Sequence, residues 1–194
     1  MAVAPDGLPN LKLRLVDVAT ALLTQPGELK LPTMRAIATS AGVAPGAAYR
    51  HFQSQNDLFL AVVANLFSQL EAELQKALTQ AQDQFAAVQA MSHAYVNWGI
   101  QNQGGYQLLF ETTDTAEFLV QGERPGKHLI DVLAHLFSAP NQPMPPHLKQ
   151  ATRLWVSLHG LVSLRTHKTG MTWTTTLAED VDHLVNVYFT NSDN

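Results

Sequence analysis

Residues 31–63 read LPTMRAIATSAGVAPGAAYRHFQSQNDLFLAVV, and this stretch decides the fold. Thr33 stands where it can cap a short helix over residues 34–40, in which Ile37 and Ala38, with Ala41 just beyond, form a small apolar face. Gly42 supplies the positive φ that a sharp helix-to-helix turn demands, and Val43 can fill the space beneath that turn. Pro45 suits the first turn of a second helix, and the small side chains at Gly46, Ala47 and Ala48 let its start approach another surface closely. Tyr49, Arg50 and His51 are the polar output of this helix, while Phe52 points to the core. A short helix so armed can enter the major groove of DNA and present edge-reading and phosphate-binding groups.

The flanking sequence is helical too. Residues 10–24 place Leu11, Leu15, Val18, Ala19 and Leu22 at spacings of three and four, on one face. Ser54 and Asp57 are spaced to open a long helix from Gln55 to the low 80s, with Leu58, Phe59, Val62, Val63, Leu66, Phe67, Leu70, Leu74 and Leu78 along it. Residues 148–167 are apolar on more than one side, and the last helix opens with Thr176 and Glu179 in capping-box spacing. Turn signals fall at 25–27, Gly42, 103–105, 122–126 and 139–146, and no stretch alternates as a strand does. The fold expected is all-α, with a three-helix helix-turn-helix domain over residues 8–54 and a larger helical domain over 55–194. The last two helices carry more apolar surface than one small core needs. A subunit interface through Leu154, Leu158, Leu161, Val181, Leu184 and Tyr188 would cover it, and so would burial inside the chain.

Composition narrows the function classes. The 194 residues are 46% hydrophobic and only 14% charged, which fits a globular chain with a sizeable core. There is no cysteine, so disulfides, thiolate nucleophiles and thiolate metal sites are excluded. The N-terminal residues lack the basic-then-apolar pattern of a secretion signal, and no run approaches the ~18 apolar residues of a membrane span, so a cytoplasmic protein is expected. The eight histidines fall in no HExxH pattern, and GxSxG and GxxxxGK[ST] are also missing. No enzyme, metal or cofactor is expected. The net charge of −4 is unevenly spread. Residues 1–60 carry Lys12, Arg14, Lys30, Arg35 and Arg50 against Asp6, Asp17, Glu28 and Asp57, whereas the remainder is strongly acidic. That asymmetry favours anion contact by the N-terminal part.

With Thr33, Ile37-Ala38, Ala41-Gly42-Val43, Gly46, Tyr49, His51-Phe52, Ser54 and Leu58 at fixed spacing, residues 11–63 resemble the DNA-binding domain of the tetracycline-repressor (TetR) family of bacterial regulators. Residues 155–168, WVSLHGLVSLRTHK, resemble a C-terminal helix of one subgroup of that family, on the helix that packs against its twin in the other subunit. The resemblance implies a homodimeric transcriptional regulator that binds a double-stranded DNA operator and is controlled by a small-molecule effector. It makes Thr33, Tyr49 and His51 backbone-phosphate contacts and puts Pro45, Gly46, Ala47 and Arg50 near base edges, with Arg35 a further contact. Effector pockets in the family lie among the middle helices, so Tyr95, Trp98, Phe110, Phe118, His128, Trp155 and His159, with Met91, are the candidate lining, and the mixture implies a mostly apolar ligand.

Two positions depart from the family pattern. Ala44 replaces a hydroxyl residue that caps the recognition helix, and Gln55 replaces a lysine beside the DNA backbone. Both changes remove phosphate anchors, so binding should be weaker or less salt-sensitive than in a relative that keeps them. A dimeric ligand- or protein-binding protein that has lost specific DNA binding is the competing expectation.

Overall fold

The structure is a computed structural model that describes residues 10–24, 32–111, 127–137 and 145–190, side chains at 111, 127–130, 145–147 and 190 excepted. Among the described residues there is no strand. The helices are α1 (Leu11–Leu23), α2 (Met34–Ser40), α3 (Pro45–Tyr49), α4 (Gln55–Leu78), α5 (Gln84–Gln101), α6 (Gln103–Tyr106), α7 (Lys127–Phe137), α8 (Pro145–His167) and α9 (Leu177–Thr190). Among the described residues no helix is long and apolar enough to cross a membrane.

The chain divides into two compact units, and the division does not follow the sequence order. Of the described residues, 10–24, 32–68 and 102–111 belong to the first unit, and 69–101, 127–137 and 145–190 to the second. The boundary read from the sequence after residue 54 therefore falls inside the first unit. Leu58, Phe59, Val62, Leu66 and Phe67 explain why, since these α4 residues are buried and belong to the first unit.

In the first unit, α1 packs on α2 and α6, and α2 packs on α3. Asn10 caps α1 by accepting a hydrogen bond from the backbone N–H of Lys12 at 3.0 Å. The buried face of α1 is Leu15, Val16, Ala19 and Leu23, turned a little from the expected stripe, with Leu11, Val18 and Leu22 only part-covered. Residues 103–105, expected as a turn, form α6 and continue into a π-helical turn over Gln107–Glu111. The glycine there serves close approach: a Cβ on Gly104 would sit 2.3 Å from the carbonyl oxygen of Thr24, at the end of α1.

In the second unit, α8 packs against α5, α7 and α9, and α5 also packs against α7 and α9. One side of α8 supplies Ala151, Leu154, Leu158 and Val162 to the core, where Val88, Tyr95, Val96, Leu133, Val181 and Val185 are also buried. Polar links fasten the α9 end. Thr176 and Glu179 form the expected capping box, with Thr176 N–H donating to Glu179 at 2.7 Å and Glu179 N–H donating to the Thr176 hydroxyl at 3.2 Å. Hydrogen bonds from the Thr176 backbone N–H and from its hydroxyl hold the Glu179 carboxyl below the usual carboxylate range. Arg165 of α8 pairs with Asp180, donates to the Thr175 carbonyl at 2.8 Å, and lies 4.1 Å over the Trp173 ring. On the other flank of α9, Asp182 accepts from the Gln89 amide at 2.8 Å and from the His93 ring at 2.7 Å, tying α9 to α5. Those bonds lower the Asp182 pKa.

Candidate functional site

The α2–turn–α3 segment is built by backbone bonds that its sequence dictates. Thr33 accepts from Ala36 N–H at 3.2 Å, as an N-cap should. Gly42 sits at φ 70°. Around it, Gly42 N–H donates to Thr39 at 3.0 Å and Val43 N–H donates to Ala38 at 2.9 Å. This bond pair is the Schellman arrangement, which satisfies the last carbonyls of α2 and reverses the chain into α3. Pro45 occupies the first turn of α3, and Ala48 and Phe52 anchor it in the core. Lys12 of α1 lies over the outer face of that anchor, 5.7 Å from the Phe52 ring centre.

With its anchors inside, α3 turns its polar residues out. Thr33, Arg35, Pro45, Gly46, Tyr49, Arg50 and His51 are all exposed, and Ala47 is half-buried. Tyr49 is the largest of them at 53% exposure, far from the packed role that an aromatic ring would otherwise take. A Cβ on Gly46 would meet nothing within 4 Å, so this end of α3 is thin and open. The expected contact set therefore lies together on α2, α3 and the residues flanking them, free of the core.

The two unusual positions behave differently from each other. Ala44 is the N-cap of α3 and contributes no side-chain cap bond, as its methyl group requires. Gln55, in contrast, is engaged within the fold, because its side-chain amide donates to the Pro32 carbonyl at 2.9 Å and fastens the start of α4 to the lead-in of α2. Beside it, Ser54 and Asp57 form a reciprocal capping box, with bonds of 2.9 and 3.1 Å.

The second unit contains a cavity lined by Leu74, Met91, Ser92, Tyr95, Leu133, Trp155 and Leu158. Of the residues expected around an effector, Tyr95 and Trp155 line it, with Met91. Trp98 is buried on α5 but away from the cavity wall, and His159 sits one turn beyond Trp155, its ring 5.5 Å from the indole. Phe110 belongs to the first unit, edge-on to Phe67 at 5.8 Å and tilted against Tyr106 at 4.9 Å. It stands in that aromatic cluster and not on the wall of this cavity. Phe118 and the side chain of His128 lie outside the described residues. Ser92, Leu74 and Leu133 join the lining without having been expected there. Ser92 carries a signal in the sequence, since it is a polar residue on the face that Val88, Tyr95 and Val96 bury.

Among the candidate interface residues, Leu154, Leu158 and Val181 are fully buried inside the single chain and are core residues. Their helices pack on one another through that face. Leu161, Leu184 and Tyr188 keep partial exposure, and the Tyr188 hydroxyl lies 3.0 Å from that of Ser157. The outward side of α8 instead shows Val156, 54% exposed, and Leu164, with Val187 exposed on α9. Between Val156 and Leu164, Gly160 leaves open space where a side chain would stand.

Comparison with known proteins accounts for both units. The profile of bacterial regulatory proteins of the tetR family matches residues 15–62, and that of the tetracyclin repressor-like C-terminal domain matches residues 88–188. The chain belongs to the TetR family. It is a transcriptional regulator with a DNA-binding helix-turn-helix domain followed by a helical ligand-binding domain. No curated protein matches it by sequence. Similar TetR-like folds are found among solved structures. A protein of unknown function from Rhodococcus sp. RHA1 is 20% identical, with a TM-score of 0.75 over 96% of this chain and 97% of that one. A TetR-like transcriptional regulator from the same organism is 16% identical, with a TM-score of 0.70 over 95% and 97%. AibR, solved in complex with isovaleryl coenzyme A and operator DNA, is 17% identical, with a TM-score of 0.63 over 93% and 98%.

Proposed function

We propose that this TetR-family regulator is a cytoplasmic homodimeric repressor that leaves its operator when a small, mostly apolar molecule enters the second-unit cavity. The observation that carries this reading is the Schellman turn at Gly42, which leaves Tyr49, Arg50 and His51 in solvent beside the exposed Thr33 and Arg35. In this reading Thr33, Tyr49 and His51 hold phosphates, and Pro45, Gly46, Ala47 and Arg50 stand at the base edges. The outward stripe of Val156, Gly160 and Leu164 on α8, with Val187 of α9, supports a subunit interface, because an open glycine between apolar residues lets a second helix come close. Release follows if the effector prefers the conformation that binds DNA less well.

The test is an anisotropy titration of labelled DNA from around the protein's own gene, at low and moderate salt. Specific binding is expected, weakened by Tyr49→Ala and relaxed in base choice by Arg50→Ala. Absence of specific binding at both salts would sink the regulator reading. Light scattering at micromolar concentration should report about twice 21.3 kDa. A second reading, a dimeric ligand- or protein-binding protein without specific DNA recognition, is favoured by Ala44, which offers no cap bond, and by Gln55, whose amide is engaged with Pro32.

A further inference from the structure

Lys12 is an exposed cation of the first unit that has no part in the contact set described above. Its surroundings hold nothing that neutralises it. Among the described residues no carboxylate stands within ion-pair distance of its ammonium group. The acids of the first unit whose side chains are described are Asp17 and Asp57. Asp57 is committed to the capping box with Ser54. Asp17 lies five residues further along α1, more than a full turn away and on another side of the helix.

The position of the charge is set by two contacts. The Lys12 N–H donates to the Asn10 cap at 3.0 Å, which fixes its backbone in the first turn of α1. Its ammonium lies 5.7 Å from the centre of the Phe52 ring, and Phe52, 4% exposed, directly follows the exposed His51. Lys12 therefore brings its charge from α1 to the end of α3, beside the residue that leads the polar output there. A lysine already held over a ring loses less freedom on meeting a phosphate than one extended into solvent. A cation in the first turn also adds to the positive end of the helix dipole, and that turn of α1 holds no acid to offset it. Meanwhile Gln55 brings no charge to the start of α4, and its amide is engaged with Pro32. The first unit thus draws positive charge from α1 where α4 offers none.

We infer that Lys12 is a further anchor for the DNA backbone, holding a phosphate next to the one assigned to His51; this rests on the DNA-binding reading proposed above. A phosphate contact carries no base information, so a labelled duplex of random sequence is a sufficient probe. Its affinity for the full chain is measured by anisotropy across a series of salt concentrations. Lys12→Met keeps an apolar stem against Phe52 and removes the charge. It should make the plot of log affinity against log salt shallower by about one unit for each bound subunit. Lys12→Arg should restore the slope. Lys76→Met, which removes an equal charge from the exposed side of α4, should leave it unchanged. A Lys12→Met protein that binds with the wild-type slope, or a Lys76→Met protein that loses as much slope, would overturn the inference. Circular dichroism checks the fold of each variant, and Lys12→Gln takes the place of a Lys12→Met protein that fails to fold. The two readings separate in the same titration. An unchanged slope with a preferred operator defeats only the Lys12 assignment, whereas a Lys12-dependent slope without any preferred sequence defeats only specific regulation. A wild-type protein that binds no duplex even at low salt defeats both.

Discussion

In the first unit the candidate contact residues stand in solvent on a backbone fixed by named hydrogen bonds, whereas in the second the candidate site is a gap among residues that are themselves core. Thr33, Gly42 and Pro45 each meet a distinct backbone requirement, respectively a cap, a positive φ and a helix start. The cavity residues Leu74, Leu133 and Leu158 do nothing there that they do not do elsewhere in a helical core. The contrast predicts that the two regions fail differently. Substitutions on the outer face of α3 should change what is bound and leave stability alone, while substitutions at the cavity should change both together.

The largest effect is expected at the cavity wall. Leu158→Ala removes a side chain that is 1% exposed and should destabilise by about 2–5 kcal/mol in urea unfolding, with weaker ligand binding. A loss under about 1 kcal/mol would mean that the wall collapses freely and that the gap is not a defined site. Gly42→Ala comes next, placing a Cβ on a residue at φ 70°. Its expected cost is about 1–2 kcal/mol, read in the same experiment, with DNA affinity falling because the turn aims α3.

The two departures from the family pattern give a pair of opposite predictions. Ala44→Ser should add the missing α3 cap and stabilise by about 1 kcal/mol in thermal unfolding, with no change in the buried core. Gln55→Lys should steepen the salt dependence of DNA binding by about one unit for each phosphate gained. It should also lose about 1 kcal/mol of stability with the Pro32 bond. An unchanged salt slope in Gln55→Lys would place residue 55 away from the DNA backbone.

The smallest effect lies at the α5–α9 tie. Because the hydrogen bonds from Gln89 and His93 lower the Asp182 pKa, its contribution is present above the unfolded value of 3.8 and is lost as pH falls through the lower folded value. Asp182→Asn should therefore lower the thermal midpoint at pH 7 by the equivalent of under about 1 kcal/mol, since both partners are part-exposed. The difference from wild type should narrow on acidification below pH 3.8. A gap that widens there would contradict the assigned direction.

What could be read from the sequence follows the same line. The helix α2 was legible to the residue, because Thr33 and Gly42 each mark an end that few other residue types can form. The capping boxes at Ser54/Asp57 and Thr176/Glu179 were legible for the same reason. Gln103–Tyr106 was not, since Gly104 and Gly105 signal a turn in any short window, and the need for Gly104 comes from Thr24, far away along the chain. Phe110 and Trp98 lie off the wall of this cavity, Phe110 in an aromatic cluster and Trp98 buried on α5, a placement that a one-dimensional reading does not supply. Leu154, Leu158 and Val181 are buried within the single chain, the alternative that an apolar stripe leaves open because it does not state whether its partner is in the same chain.

Trp155 on the cavity wall has a practical consequence. The chain holds three tryptophans, of which Trp98 is buried away from the cavity and Trp173 lies against the Arg165 guanidinium. An occupant of the cavity touches one indole of the three, so the protein carries its own optical reporter of occupancy. Replacing Trp98 and Trp173 with phenylalanine would leave an emission spectrum that reports on the surroundings of Trp155 by itself, without label or DNA.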